Sequence, residues 1–228
     1  MIKPPSWSYS GITLFDQCPK KYYHLRVAKD ITEPASTAMM YGTDVHEAAE
    51  LFIRDGLALP EKYSYLKPLL DKLNTYPGQK HCELEMGLKR VDGRLLPCAF
   101  NDPDVWYRGI ADLVIIDPDG KTARIIDYKT GKSSRYADTK QLALMAACVF
   151  LHFPSVEHVK AALLFVVAGD LVKAQYDAPN GMHIFTELND KLTLREAAYE
   201  SEIFNPKKNF TCRAYCPVVI CPHNGRSE

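Results

Sequence analysis

Residues Tyr107 to Lys132 read YRGIADLVIIDPDGKTARIIDYKTGK, and the fold class is decided there. Ile110 and the run Leu113 to Ile116 are apolar. Asp117-Pro118-Asp119-Gly120 follows, and then a second apolar run from Ala123 to Ile126. Two β-rich runs joined by a Pro/Asp/Gly turn predict an antiparallel hairpin. Asp112 lies in the first strand, Asp127 at the end of the second, and Lys129 two residues on. Side chains two apart on a strand share a face, so Asp127 and Lys129 point one way and Tyr128 the other. Charges in an apolar setting are costly unless paired or bound to a metal. Magnesium or manganese fits one or two carboxylates together with water and phosphate. Lys129 would then stabilise charge on a phosphoryl oxygen or position an attacking water. A solvated Asp–Lys pair on a surface hairpin satisfies the same spacing.

The chain has 228 residues, 46% apolar and 25% charged, with 28 basic and 28 acidic side chains. These values fit one sizeable domain, or one domain with an attached subdomain, of ordinary globular composition. No apolar run approaches the roughly 20 residues of a membrane span, and MIKPPSWSYS lacks a signal-peptide core, so a cytoplasmic setting is expected. Zero net charge argues mildly against nucleic acid as partner, although carboxylates gathered in a metal site can mask a basic groove. The seven cysteines are irregularly spaced, which points to metal or redox roles before disulfides.

Working outward, Ser10 is placed to cap a helix whose stripe is Leu14, Phe15, Cys18, Tyr22 and Leu25, with a break at Pro19. Gly42 can open a second helix carrying His46, Glu47 and Glu50, the two glutamates being expected as solvated charges. Residues 56–80 are a connector with one short amphipathic helix over Tyr65 to Leu73. His81 to Leu88 alternates as a half-buried strand, with Glu83 and Glu85 on one face, and 89–106 is a loop or hairpin. Lys140 to Leu151 is a helix led by Gln141. Val159 to Val167 is an inner strand buried on both faces, with Val172 to Tyr176 as its partner. Residues 183–203 form an amphipathic helix with Leu194 on its apolar stripe and Arg195 on its solvated face. Cys212, Cys216 and Cys221 fall within ten residues, close enough to share a metal. With Cys18 the set is Cys₄, suited to a [4Fe–4S] cluster; with His223 it is Cys₃His, suited to zinc. Cys82, Cys98 and Cys148 have no evident partners.

Gly109-Ile110-Ala111-Asp112 followed by Asp127-Tyr128-Lys129 resembles the GxxD…(D/E)xK core of the PD-(D/E)XK nuclease superfamily, in its RecB-like branch. The other motifs of that branch stand in family order: the first helix with Phe15-x-x-Cys18-Pro19, Gly42-Thr43-x-x-His46, an early strand glutamate at Glu83 (Glu85 being the alternative), and Gln141. Met145 stands where that branch places a tyrosine after the Gln. One early and three late cysteines are similar to the iron staple of AddB nuclease domains and of the CRISPR-adaptation exonucleases, although the spacing of the last three differs.

The resemblance implies a restriction-endonuclease-like α/β core, a mixed sheet of four to five strands flanked by helices. It implies one domain over 1–228: a helical part over 1–80, a catalytic sheet core over 81–176, and a C-terminal helix with the cysteine cluster over 177–228. The implied activity is metal-dependent hydrolysis of DNA, favouring single-stranded ends, in recombination, repair or phage genome processing. His46, Asp112, Asp127 and the backbone carbonyl of Tyr128 would hold Mg²⁺ or Mn²⁺, with Glu83 near them. Lys129 would position the attacking water, Gln141 would contact water or a DNA phosphate, and Tyr22, Tyr23, Trp106 and Tyr136 are candidates for base stacking. Two other classes share these features: a catalytically silent DNA-end binding module, and a zinc-stabilised interaction protein.

Overall fold

The hairpin turn closes as its residues demand. Gly120 takes φ +68°, a left-handed conformation that glycine adopts freely, and its N–H donates to Asp117 O at 2.9 Å. Arg124 then clamps the Asp117 carboxylate with two hydrogen bonds of 3.0 and 2.9 Å. In this computed structural model the described residues are 4–225. They divide into two units, one of residues 36–185 and one of 4–35 with 186–225. The helices in chain order are α1 (Tyr9–Gln17), α2 (Pro19–Tyr22), α3 (Thr37–Asp55), α4 (Lys67–Thr75), α5 (Lys140–His152), α6 (Ala178–Gly181), α7 (His183–Glu187) and α8 (Asn189–Ser201). Among the described residues no helix is long and apolar enough to cross a membrane.

The first unit carries a mixed sheet of six strands, one more than the expected upper count. These are β1 (Gln79–Val91), β2 (Arg94–Cys98), β3 (Tyr107–Ile116), β4 (Thr122–Lys129), β5 (His158–Phe165) and β6 (Asp170–Asp177), in the order β2-β1-β3-β4-β5-β6. The extra strand is β2, joined to β1 through Asp92 and Gly93, both at positive φ. All pairs are antiparallel except β4–β5. A parallel pair needs a crossover, and α5 supplies it, with Leu142 and Leu144 to Phe150 all buried. On the opposite sheet face Val45 and Ala49 of α3 and Leu70 and Leu73 of α4 pack with Leu113, Ile115 and Tyr128. The α3 helix starts earlier than Gly42: Ser36 Oγ accepts from Met39 N at 3.1 Å as its cap. β5 is inner by pairing, but its burial alternates instead of being complete on both faces, because α4 leaves part of its second face open.

In the second unit the α1 cap is Ser8, not Ser10; its Oγ accepts from Gly11 N at 3.2 Å. Pro19 restarts the helix as expected, with Cys18 extended between α1 and α2. The helix expected over 183–203 is interrupted between α7 and α8, yet Ile184, Leu188, Leu192, Arg195 and Tyr199 keep one buried stripe through the interruption. Arg195 is 3% exposed and Leu194 is 65% exposed, the reverse of their expected faces. Arg195 donates to Tyr22 Oη at 3.1 Å and to Pro5 O at 2.7 Å, and it lies over the Tyr199 ring. Its charge is thereby satisfied inside the unit.

Candidate functional site

The hydrogen-bond ladder between β3 and β4 ends at the pair Leu113↔Ile126. Beyond it β3 continues with β1 as far as Leu88↔Tyr107, and β4 continues with β5 as far as Lys129↔Phe165. The sheet forks there, and the fork holds the carboxylates. Asp112 Oδ2 accepts the Tyr128 N–H at 2.6 Å, a donor that the β3 backbone no longer takes. Its Oδ1 lies 3.3 Å from Nδ1 of His46, which α3 carries. Side-chain ligand atoms of His46, Glu83 and Asp112 lie within 4.8 Å of one another.

Glu83 reaches this group through an unusual backbone. Register places it opposite Asp112, between Cys82↔Leu113 and Leu84↔Ala111, and its φ is +46°. A non-glycine residue there costs on the order of 1 kcal/mol, and facing carboxylates on neighbouring strands add repulsion. Glu85 is exposed and stays out. Glu83→Gly should therefore raise the melting temperature of the metal-free protein and weaken divalent-ion binding. Thermal melts in EDTA and with added Mn²⁺ check this, and a lower melting temperature in EDTA would show that no strain was relieved.

Asp127 is 2% exposed. Its Oδ1 accepts from Gln141 Nε2 at 2.9 Å, and Gln141 Oε1 accepts from Lys129 Nζ at 3.0 Å. Gln141 thus bridges Asp127 and Lys129, a role beyond the contact to water or phosphate expected of it. Lys129 Nζ also lies 2.6 Å from the buried Asp127 Oδ2, a charge-assisted contact. Burial, and then the Asp112 charge, push the Asp127 carboxyl up to about 6 against the pull of Lys129 and His46. Glu83 is raised by burial and by Asp112. Burial alone would lower His46, but the hydrogen bond and charge of Asp112, aided by Asp127 and Glu83, outweigh it and raise its pKa. Three carboxylates facing one ammonium leave an excess of negative charge, which fits a divalent cation bound by hard oxygen ligands and one imidazole.

Glu47 and Glu50, expected as solvated charges, line the same cleft as His46 and Glu83. The spacing of Glu50, four residues after His46, was the available signal. Met145 is buried. Of the aromatic candidates Tyr22 is 3% exposed and bonded to Tyr199, so it cannot stack on a base. Tyr23 packs on Phe204, and Trp106 lies under Arg90, whose guanidinium is 3.8 Å from the ring centre. Tyr136 is 86% exposed.

In the other unit Cys18, Cys212, Cys216 and Cys221 are buried free thiols that line one small gap together with the exposed His223. Cys18 Sγ accepts the N–H groups of Lys21 at 3.4 Å and Lys207 at 3.5 Å, and Cys212 Sγ that of Asn209 at 3.4 Å. Asn224 Nδ2 ties the loop by donating to Cys216 O and Val218 O. Cys82 and Cys98 are half-buried, and Cys148 is buried in α5.

A search of curated proteins finds no match. Among solved structures, the chain is similar to a "putative exonuclease" from Eubacterium rectale, with a TM-score of 0.55 and 12% identity over 92% of this chain and 86% of that one. It also matches the crystal structure of SSO0001, with a TM-score of 0.49 and 16% identity over 98% and 89%. The family model of the PD-(D/E)XK nuclease superfamily matches residues 6–222. With a six-stranded mixed sheet forking at Asp112 and Asp127-x-Lys129, and a family match over nearly its whole length, the chain belongs to the PD-(D/E)XK nuclease superfamily.

Proposed function

We propose that this protein is a metal-dependent deoxyribonuclease, an exonuclease that favours single-stranded ends. The observation that carries the reading is the His46, Glu83 and Asp112 group, whose ligand atoms lie within 4.8 Å of one another, with the buried Asp127 paired to Lys129 beside it. Those four side chains, with the Tyr128 carbonyl, would hold Mg²⁺ or Mn²⁺. When bound, such an ion supplies Lewis acidity toward the scissile phosphate and makes a nearby water more acidic. The chain's residues do the rest. Lys129 orients the attacking water and offsets charge growing on the phosphoryl oxygens. Gln141 is a positioning residue that fixes Lys129 against Asp127. Tyr136, exposed on the loop after β4, is available to stack on a base of the incoming strand. The name of the Eubacterium rectale neighbour agrees with exonuclease action. A role in recombination, repair or phage genome processing rests on the RecB-like resemblance.

Both units serve this one nuclease in our reading. Four buried cysteines with an exposed His223 favour a Cys₄ ligand set over Cys₃His, and we read that set as a [4Fe–4S] cluster. Iron and zinc analysis of anaerobically purified protein separates the two.

Gln141→Leu should lower kcat by about 10-fold or more and move the acidic limb of the pH profile upward, because Asp127 loses a donor to its charged form. An unmoved profile would leave Gln141 a packing residue only. The substrate reading is tested with end-labelled linear and circular single-stranded DNA alongside duplex. Degradation of linear single strands, with circles intact, is expected; nicking of circles would replace the exonuclease by an endonuclease.

A further inference from the structure

The sheet face that receives α3 and α4 is covered over β3 and β4 but open over β5 and β6, and a recess of about 350 Å³ lies there. Its floor is Ile126, Ala162 and Leu164, with Leu73 of α4 and Leu171 of β6 as walls. Register sets Ala162 opposite Lys173, Leu164 opposite Leu171, and Lys160 opposite Gln175. Ala162, the smallest floor residue, gives the recess its depth. The rim is cationic. Lys72, Lys160 and Lys173 are exposed, and among the described residues none of the three makes an ion pair. The fourth cation, Arg124, is neutralised by Asp117 and rests on the Tyr76 ring. Three uncompensated positive charges therefore surround an apolar floor that shares no residue with the candidate metal centre. Lys173 alone could be an edge-strand guard against strand addition. Lys160 stands on an inner strand, where that role is not needed.

We propose that this recess binds an acidic amphipathic segment of a partner protein. Its apolar side chains would lie on Ala162 and Leu164, and its carboxylates would meet Lys72, Lys160 and Lys173. An amphipathic helix laid beside α4 would complete the half-covered layer and bury the exposed Leu171. Charge complementarity selects an acidic occupant. The floor selects a peptide over nucleic acid, because it is aliphatic and its one bordering aromatic ring, Tyr76, is already covered by Arg124.

The test is a selection from a random peptide display library against the full-length protein, followed by synthesis of the most enriched peptide. Enriched sequences should combine acidic residues with apolar residues at helical spacing. The synthetic peptide should bind the wild type and lose about 10-fold or more in affinity to the Lys160→Glu/Lys173→Glu double variant. Ala162→Trp, which fills the recess without altering charge, should also block it. Both variants should keep the wild-type circular dichroism and DNA cleavage. The proposal is overturned by an absence of enrichment, by peptides without acidic bias, or by equal binding to the folded variants. Weaker DNA binding by the double variant would assign the lysines to the substrate, and loss of a wild-type dimer would assign the face to a second copy. Either result also overturns the proposal.

Discussion

Asp127→Asn is expected to abolish metal-dependent DNA cleavage, by at least about 10³-fold, and to raise the melting temperature of the protein in EDTA. The two effects have one cause. In the folded protein the Asp127 carboxyl is pushed up to about 6 from the ordinary 3.8, first by burial and then by Asp112. A raised carboxyl pKa means that the fold disfavours the charged form. The cost is in force above pH 6 and is relieved as pH falls through that value. At pH 7.5 it amounts to at most about 3 kcal/mol, and asparagine removes it while still offering an oxygen to Gln141. Several degrees of stabilisation follow, at about 2–4 °C per kcal/mol for a chain of this size. Added Mg²⁺ or Mn²⁺ should stabilise the wild type and leave the variant unmoved. A variant that melts lower in EDTA would show that Lys129 needs the Asp127 charge more than burial resists it.

Cys18→Ser should act in the opposite direction on stability, in the other unit. Cys18 and Cys212 are far apart in sequence yet line one gap, so a cluster that joins them closes a loop of most of the chain. By analogy with a cross-link of that length, its loss removes about 5 kcal/mol. The expected result is loss of bound iron and an early melting transition in the variant, read by absorbance of the cluster and by calorimetry. Wild-type iron content in Cys18→Ser would remove that residue from the ligand set, and stoichiometric zinc in the wild type would replace the cluster by a structural zinc site.

How far such features can be read in advance depends on how local their causes are. The β3–β4 hairpin was legible because its turn, its two apolar runs and the Asp127/Lys129 spacing all arise within 26 residues, Tyr107 to Lys132. The β1–β2 hairpin carried an equally local signal in Asp92-Gly93, where both residues take positive φ. The fork after Ile126 was not legible, since it depends on β1 and β5 pulling neighbouring strands apart, and neither is adjacent to it in sequence. Nor was the positive φ of Glu83, which goes against its own local preference. Arg195 and Leu194 were exchanged because residue type outweighed spacing: Arg195 stands three residues after Leu192, on the buried stripe, and Leu194 only two. Motif order placed His46, Asp112 and Gln141 near the centre. Only the structure assigns Gln141 both of its partners.

The most direct test of the central claim is cleavage of end-labelled single-stranded DNA by wild type and Asp127→Asn side by side, with Mg²⁺, Mn²⁺ or EDTA. Wild-type protein should degrade the strand with either ion and not in EDTA, and the folded variant should leave it intact throughout. Metal-replete wild-type protein that binds the strand and never cuts it, or a folded Asp127→Asn variant that cuts as well as the wild type, would contradict the account.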